Sequence, residues 1–243
     1  MDFYQSVCKK PKICESLIRR LFGTVTHVST DRHIAALTFD DGPHPASTPR
    51  LLKILKSHKA KATFFMVGQA AKKYPELVQD VAKAGHTVGN HSFSHVPFTS
   101  ISRRKRVQDV KSCQETLAPY GTKIFRPPLG YQNIGSRIDL MLLGYKVVAW
   151  SVSSRDWHHF DCRQIAAHLL SKVHPGSIVL LHDAIYDSTE KEGEERRIML
   201  DAIGLFLERS EQHYSFVTLP ELFSMGKPQK THWFRGDSQE AAH

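Results

Sequence analysis

Cysteine is scarce in this sequence of 243 residues, which contains only Cys8, Cys14, Cys113 and Cys162. No two of them form a CxxC pair, and they are too few and too scattered for a disulfide-rich secreted scaffold. We therefore expect free thiols.

Long apolar runs are also missing. No stretch approaches the roughly 20 apolar residues of a membrane span, and the N-terminal segment lacks the apolar region of a secretory signal, so the expected location is the cytoplasm. In that segment, apolar residues follow helical spacing beside basic ones: Ile13, Leu17, Ile18, Leu21 and Phe22. We expect this helix to pack across the bottom of the fold, and peripheral membrane contact through the same basic helix is the alternative.

Motifs for nucleic-acid binding are absent as well. The formal net charge of +9 would draw the chain towards anionic surfaces, but Lys and Arg are spread along the whole length. No RNA-recognition, helix-turn-helix or zinc-finger pattern accompanies them. No specific nucleic acid and no obligate protein partner is predicted.

What the sequence does contain is a repeated strand, loop and helix pattern. Strands are predicted at 34–39, 61–67, 86–89, 124–126, 146–152, 177–181 and 215–218, and helices from 48 and at 75–84, 102–118, 134–143, 161–173 and 191–210. The pattern predicts an α/β fold, a single distorted (β/α) barrel with about seven parallel strands and the active site at their C-terminal ends. The predicted parts are an amphipathic flank at 1–30, a catalytic domain at 31–225 and a polar, mobile tail at 226–243.

Two adjacent carboxylates, Asp40 and Asp41, follow the first of these strands in the segment Thr38–Gly42. Neighbouring carboxylates repel each other unless a cation or a proton separates their roles, so one metal ligand and one base is a natural assignment. Taken alone, the segment also fits a solvated Asp-Gly turn.

A histidine pair follows another strand. His91 and His95 are four residues apart, so one helical turn would place both imidazoles on one face. Asp41 offers a third ligand, and a His-His-carboxylate set leaves a position open for water, as in catalytic zinc sites. A chain with 15 histidines also contains such pairs by chance.

The segment Phe125–Tyr131 combines a cation with a stiff Pro-Pro loop. Arg126 ends a strand and could pair with Asp40 to keep it ionised as a base. A backbone N–H after the prolines could donate to an oxyanion. In isolation, the segment also fits a surface loop with an exposed arginine.

Two further polar groups follow strands. Asp156 is suited to holding the imidazole of His182 and raising its pKa, which would make His182 a general acid. Trp157 and Leu180 could wall a pocket for a small apolar group. The plainer readings are a satisfied strand-end histidine and a core tryptophan.

Together these five segments resemble the polysaccharide deacetylases of carbohydrate esterase family 4, whose motifs are TFDDG, HSxxH, RPPxG, DW and LxH. The similarity spans about 35–222. It implies a hydrolase that removes N-acetyl groups from an amino sugar, oligosaccharide or polysaccharide, with one divalent ion, Zn²⁺ being expected and Co²⁺ or Ni²⁺ the alternatives. The implied roles are base for Asp40, metal ligands for Asp41, His91 and His95, support of Asp40 for Arg126, support of His182 for Asp156, and acid for His182.

Leu129 departs from the family pattern, since many members have Tyr at this position. The expected oxyanion donor there is a backbone N–H, so the change should spare the chemistry and alter the sugar pocket. We assign to that pocket Leu129, Tyr131, Trp157 and Leu180. A deformylase or deacylase of another small or lipid-linked amide, and a catalytically silent glycan-binding barrel, are the alternative functions.

Overall fold

The computed structural model describes residues 22–158, 160–186 and 196–231. The strands are β1 (Thr24–Ser29), β2 (Ile34–Asp40), β3 (Ala62–Met66), β4 (Thr87–Asn90), β5 (Gly121–Phe125), β6 (Lys146–Val147), β7 (Val152–Ser153), β8 (Ile178–His182), β9 (Ser215–Phe216) and β10 (Lys227–Thr231). The helices are α1 (Thr48–Ser57), α2 (Gly68–Lys73), α3 (Pro75–Lys83), α4 (Arg103–Leu117), α5 (Ile134–Leu142), α6 (Cys162–Lys172), α7 (Arg197–Ser210) and α8 (Leu219–Ser224). A short 3₁₀ turn covers Pro128–Gly130.

The main sheet has the strand order β6-β5-β4-β3-β2-β8-β7, and the short β9 pairs with the beginning of β2. All of these pairs are parallel. The prediction of a distorted (β/α) barrel with about seven parallel strands is therefore confirmed. Because parallel strands all end at the same edge, the residues that follow them gather on one rim.

The alternation of side chains along β2 separates two apolar layers. Ala35, Leu37 and Phe39 point outwards into the core beneath the helices, whereas Ile34 and Ala36 belong to a second core inside the curled sheet. All seven residues of β2 are buried, as is typical of a parallel strand covered on both faces. The inward column ends at Asp40, so the polar site lies directly above the apolar interior.

Local signals account for the helix starts. α5 and α6 begin with capping boxes, and Pro75 opens α3 at its first position. At α1 the N-cap is Ser47, although Thr48 followed by Pro49 is the pair that the sequence suggests as N-cap and first helical residue. The Thr48 hydroxyl does not cap the helix, because it donates instead to the Asp183 carboxylate at 2.5 Å.

The single strand predicted at 146–152 is wrong, since the structure has two short strands there, β6 and β7. Between them the backbone leaves the sheet path: the Ala149 N–H donates to Val25 O at 2.8 Å, and the Ala149 carbonyl accepts from Arg126 at 2.8 Å. These partners replace the ladder hydrogen bonds of a continuous strand. The short helices α2 and α8 were not predicted.

The two flanks contribute an antiparallel pair, β1 with β10. Residues 227–231 were predicted as part of a mobile tail, and here they form β10. The predicted amphipathic helix falls almost entirely on residues 1–21, which lie outside the described residues, as does 232–243. The domain boundaries remain predictions. None of the helices in the described ranges is both long and apolar enough to cross a membrane.

Candidate active site

The candidate site lies on the rim where β2, β4, β5, β7 and β8 end. Asp40 and His182 are the last residues of β2 and β8, and their Cα positions are paired in the sheet. His91 and Arg126 each come directly after a strand, β4 and β5. Five sequence segments that are far apart along the chain thus meet at one edge.

Asp40 is buried and ion-paired. Arg126 Nη1 lies 2.7 Å from Asp40 Oδ1 and also donates to the Thr38 hydroxyl at 2.7 Å. Arg126 is fully buried and stacks on Phe65, with its guanidinium carbon 4.2 Å from the ring centroid. Burial lowers the pKa of Arg126, and the Asp40 carboxylate opposes that shift. The reading of Arg126 as an exposed surface-loop residue is therefore excluded.

Asp41 turns away from the strand in a left-handed conformation, with φ 74°. Its Oδ1 lies 3.4 Å from His91 Nε2 and 3.1 Å from His95 Nε2, and its Oδ2 accepts from the Tyr186 backbone N–H at 3.1 Å. Burial tends to raise the pKa of Asp41, but the hydrogen bonds from His91 and His95 outweigh it and hold the pKa well below the ordinary value.

The two histidines converge through a loop, so the helical turn that was suggested from their spacing is wrong. Ser92 and His95 have φ values of 68° and 54°, which no helix contains. The Asn90 side chain accepts from the Ser92 N–H at 2.9 Å, and the Ser92 hydroxyl accepts from the His95 N–H at 3.0 Å. Asp109 on α4 fastens the loop by accepting from the Phe93 N–H at 2.8 Å.

Asp41, His91 and His95 offer ligand atoms that all lie within 4.8 Å of one another. Among the described residues, these three side chains are the set of His, Cys, Asp or Glu close enough together to hold one metal ion. The His91 imidazole has a fixed tautomer: its Nδ1 lies 2.8 Å from the carbonyl oxygen of Arg126, so Nδ1 must carry the proton. Its Nε2 is the ring nitrogen that lies next to Asp41 and would be the one to bind an ion. A second hydrogen bond of this kind is typical of metal-binding histidines, and the donor set fits a divalent transition metal.

On the other side of the rim, His182 is paired with Asp156. His182 Nδ1 lies 3.0 Å from Asp156 Oδ1, and the His182 N–H donates to Asp156 Oδ2 at 2.9 Å. Burial lowers the pKa of His182, but the Asp156 carboxylate outweighs this effect and raises the pKa to about 9. Burial raises the pKa of Asp156, and His182 and Arg196 together bring it far below the ordinary value.

The four residues assigned to the sugar pocket differ in their position and in their exposure to solvent. Trp157 is 45% exposed and stands edge-on to the His182 ring, with centroids 5.1 Å apart. Leu129 is 49% exposed and has a φ of 57° in the 3₁₀ turn. Leu180 is buried inside the barrel, on the same face of β8 as His182. Tyr131 is half-buried after the turn, and its N–H donates to Pro128 O at 3.0 Å.

Sequence reasoning missed three polar residues at the site. Arg196 contacts Asp156, and Tyr186 covers His95 with ring centroids 4.9 Å apart. Asp183 is 1% exposed and packs on Gly42, where the Cβ of any other residue would lie 2.3 Å from its carboxylate oxygens. Burial raises the pKa of Asp183 to about 7. Only Asp183 had a signal in the sequence, since it directly follows the strand-end His182.

Comparison with known proteins decides the family. The sequence profile of the family described as polysaccharide deacetylase matches residues 27–148. A peptidoglycan-N-acetylglucosamine deacetylase of Bacillus cereus is 36% identical over 206 residues, which are 82% of this chain and 93% of that protein. The chain belongs to the polysaccharide deacetylase family. The predicted enzyme class, a hydrolase acting on carbon–nitrogen bonds other than peptide bonds, is confirmed with it.

Solved structures of similar deacetylases agree with the fold. The crystal structure of a peptidoglycan N-acetylglucosamine deacetylase in complex with 4-naphthalen-1-yl-N-oxidanyl-benzamide has a TM-score of 0.78 at 30% identity, covering 88% of this chain and 98% of that chain. A family 4 carbohydrate esterase from Streptomyces lividans in complex with acetate has a TM-score of 0.68 at 30% identity, covering 77% and 93%. The resemblance to carbohydrate esterase family 4 is confirmed.

Proposed function

We propose that this polysaccharide deacetylase is a metal-dependent N-deacetylase of an amino sugar, oligosaccharide or polysaccharide. The observation that carries the proposal is the meeting of three units on one rim. They are the ligand group Asp41, His91 and His95, the buried pair Asp40 and Arg126, and the buried pair Asp156 and His182. A metal-dependent amide hydrolase uses these three functions, namely a Lewis acid site, a base and an acid.

Asp41, His91 and His95 would hold one divalent ion, Zn²⁺ in our proposal, with Co²⁺ and Ni²⁺ as alternatives. Such an ion would act as a Lewis acid on the acetyl carbonyl and would favour ionisation of the attacking water. The His91 tautomer supports this assignment, because its Nδ1–H is donated to Arg126 O and its Nε2 is left for the ion.

Asp40 is proposed as the base that takes a proton from the attacking water. Its Oδ2 lies 3.8 Å from His91 Nε2, so the carboxylate borders the ligand group. Its Oδ1 accepts a hydrogen bond from Arg126 Nη1 at 2.7 Å, which fixes the orientation of the carboxylate. One oxygen of Asp40 is thus anchored while the other faces the site.

His182 is proposed as the acid that protonates the departing amine. An amide nitrogen is a poor leaving group without a proton, and the raised pKa of about 9 keeps the imidazole protonated at neutral pH. The tetrahedral oxyanion that precedes departure is assigned to the backbone N–H of Leu129, since preorganised donors aimed at developing charge are usually a large catalytic contribution.

The acetyl group is proposed to lie against Trp157 and Leu180, with Leu129 and Tyr131 at the sugar. Support comes from the exposed edge of Trp157 beside His182 and from the buried Leu180 beneath it. The cytoplasmic location and the peripheral membrane contact through the basic N-terminal helix remain predictions.

A substrate panel tests the proposed function. Zinc-loaded protein is incubated with N-acetylglucosamine oligomers, N-acetylated peptidoglycan fragments and their N-formyl analogues, and released acetate and formate are measured. The expected result is acetate release from at least one N-acetyl sugar at a rate above that of formate. Faster formate release would indicate a deformylase, and no release from any substrate would indicate a silent binding barrel; either result contradicts the proposal.

A further inference from the structure

Arg196 is a buried arginine outside the five motif segments. It is the N-cap residue of α7, has φ 48° and is 3% exposed. Its Nη2 donates to Asp156 Oδ2 at 2.5 Å and to the Asp156 carbonyl at 3.1 Å, and its Nε donates to the His182 carbonyl at 3.1 Å. One side chain therefore joins the start of α7 to the segment after β7 and to the end of β8.

The hydrogen bonds around Asp156 fix the orientation of its carboxylate. Oδ1 accepts from His182 Nδ1 at 3.0 Å and from the Ser154 hydroxyl at 2.8 Å. Oδ2 accepts from the His182 N–H at 2.9 Å and from Arg196. An ionised carboxylate has about four acceptor sites, so all of them are used. Arg196 is one of the two donors to Oδ2, so without it only Ser154 and His182 itself would hold the carboxylate in this orientation.

The guanidinium also matches this place better than an ammonium would. Its planar fork reaches Asp156 and His182 with two different nitrogens at once, which a lysine with a single nitrogen cannot reproduce. The left-handed backbone of a non-glycine residue is costly, and the buried contacts of the side chain hold it in place.

We propose that Arg196 is a positioning residue for His182. It holds the Asp156 carboxylate and the His182 main chain together, so that the Nδ1–H to Oδ1 hydrogen bond presents the opposite nitrogen of the imidazole to the leaving amine. The catalytic part rests on the proposed function. The geometric part, the dependence of the His182–Asp156 hydrogen bond on Arg196, can be measured without any activity.

A purely structural anchor for α7 is the competing explanation. Loss of such an anchor would lower the fraction of folded protein, but the folded molecules would keep the His182–Asp156 hydrogen bond. Their rates on amide and ester substrates would then fall together. A positioning role predicts a selective effect on amides, because an alkoxide leaves with less help from an acid than an amine does.

The experiment compares Arg196→Met, Arg196→Lys and Arg209→Met in zinc-loaded, full-length protein. Arg209→Met is the matched control, since it removes the same charge from an exposed position of the same helix. Proton NMR follows the deshielded His182 Nδ1–H signal, assigned by its loss in His182→Gln. The ratio of turnover on an N-acetyl sugar to turnover on an O-acetyl ester gives the second readout.

Arg196→Met is expected to shift or lose the Nδ1–H signal and to lower the amide-to-ester ratio by about tenfold or more, which is a part of the roughly 10²- to 10⁴-fold that a positioned acid contributes. Arg209→Met should leave both unchanged. A wild-type signal and a wild-type ratio in Arg196→Met would overturn the proposal. If Arg196→Met does not fold, Arg196→Lys decides in the same way. If wild-type protein hydrolyses neither substrate, the proposed function fails, and the NMR signal alone decides the role of Arg196.

Discussion

Arg126 Nη1 and Asp40 Oδ1 lie 2.7 Å apart in a place where both side chains are buried. The arginine reaches this carboxylate from β5 across the interior of the barrel, past Phe65 on β3. Arg126 fixes this carboxylate through Oδ1, and the second oxygen, Oδ2, lies 3.8 Å from His91 Nε2. This pair distinguishes the proposed base from its neighbour Asp41, which contacts both histidines.

Asp40→Asn is expected to keep the metal and to lower kcat by about a hundredfold or more, the usual scale for losing a positioned proton acceptor. The amide retains the shape of the carboxylate and cannot take the proton. Turnover and metal content are measured on the same sample. Asp31→Asn, at an exposed position, is the control. Wild-type turnover in Asp40→Asn would show that the base has been misassigned.

His91→Ala and His95→Ala are each expected to remove the metal and abolish activity. Wild-type protein should contain about one metal per chain, as expected for a single three-ligand site. Elemental analysis of purified protein measures the content, and the exposed His213→Ala is the control. Stoichiometric metal in both variants would place the ion elsewhere.

The alkaline limb of the kcat profile is expected to report His182. The acid form of the imidazole is present below its raised pKa of about 9 and is lost as the pH rises through that value, so kcat should fall there. Asp156→Asn removes the negative charge that raises this pKa, and the limb should move to lower pH. If the alkaline limb of Asp156→Asn stays at the wild-type pH, the limb reports a group other than His182.

The same acid can be tested through the leaving group. His182→Ala should lose N-acetyl amide hydrolysis much more than O-acetyl ester hydrolysis, because an alkoxide departs with less help than an amine. Equal loss of both activities, or loss of neither, would mean that His182 is not the general acid.

Asp183 gives a prediction about stability. Its folded pKa of about 7 lies above the ordinary 3.8, mainly because of burial, so its contribution to stability is present below pH 3.8 and is lost as the pH rises through about 7. Between these two pKa values, the free energy of unfolding falls by at most about 1.4 kcal/mol for each pH unit. Asp183→Asn, which stays neutral, should therefore stabilise the metal-free protein more at pH 8 than at pH 4.5. Thermal unfolding at both pH values measures this, with the exposed Asp201→Asn as control. Equal effects of Asp183→Asn at the two pH values would contradict the shift.

The barrel could be predicted because β2, β3 and β8 are strongly apolar and because helices with clear end signals recur between the predicted strands. β2 is the best example, since it is buried on both faces and its first four residues, Ile34 to Leu37, are all apolar. β1 and β10 were missed because their compositions are mixed and give no clean alternation of apolar and polar residues. Four of the six residues of β1 are buried, two of them threonines, whereas no residue of β10 is fully buried. The division into β6 and β7 was missed because it depends on contacts with Val25 and Arg126, which lie far away in the sequence.

Several site residues were found because each follows a strand and belongs to a chemically recognisable pair. The turn around His91 and His95 was misjudged, since spacing alone does not distinguish a helical turn from a loop stabilised by Asn90 and Ser92. Arg196 carried no signal, because its role comes from reaching Asp156 across the fold.

The most direct test of metal-dependent deacetylation is acetate release from N-acetylglucosamine oligomers by one preparation in three states: as purified, after chelation and dialysis, and after adding back Zn²⁺. Acetate release should disappear when the metal is removed and return when it is added back. Full activity in demonstrably metal-free protein, or no acetate from zinc-replete protein, would contradict it.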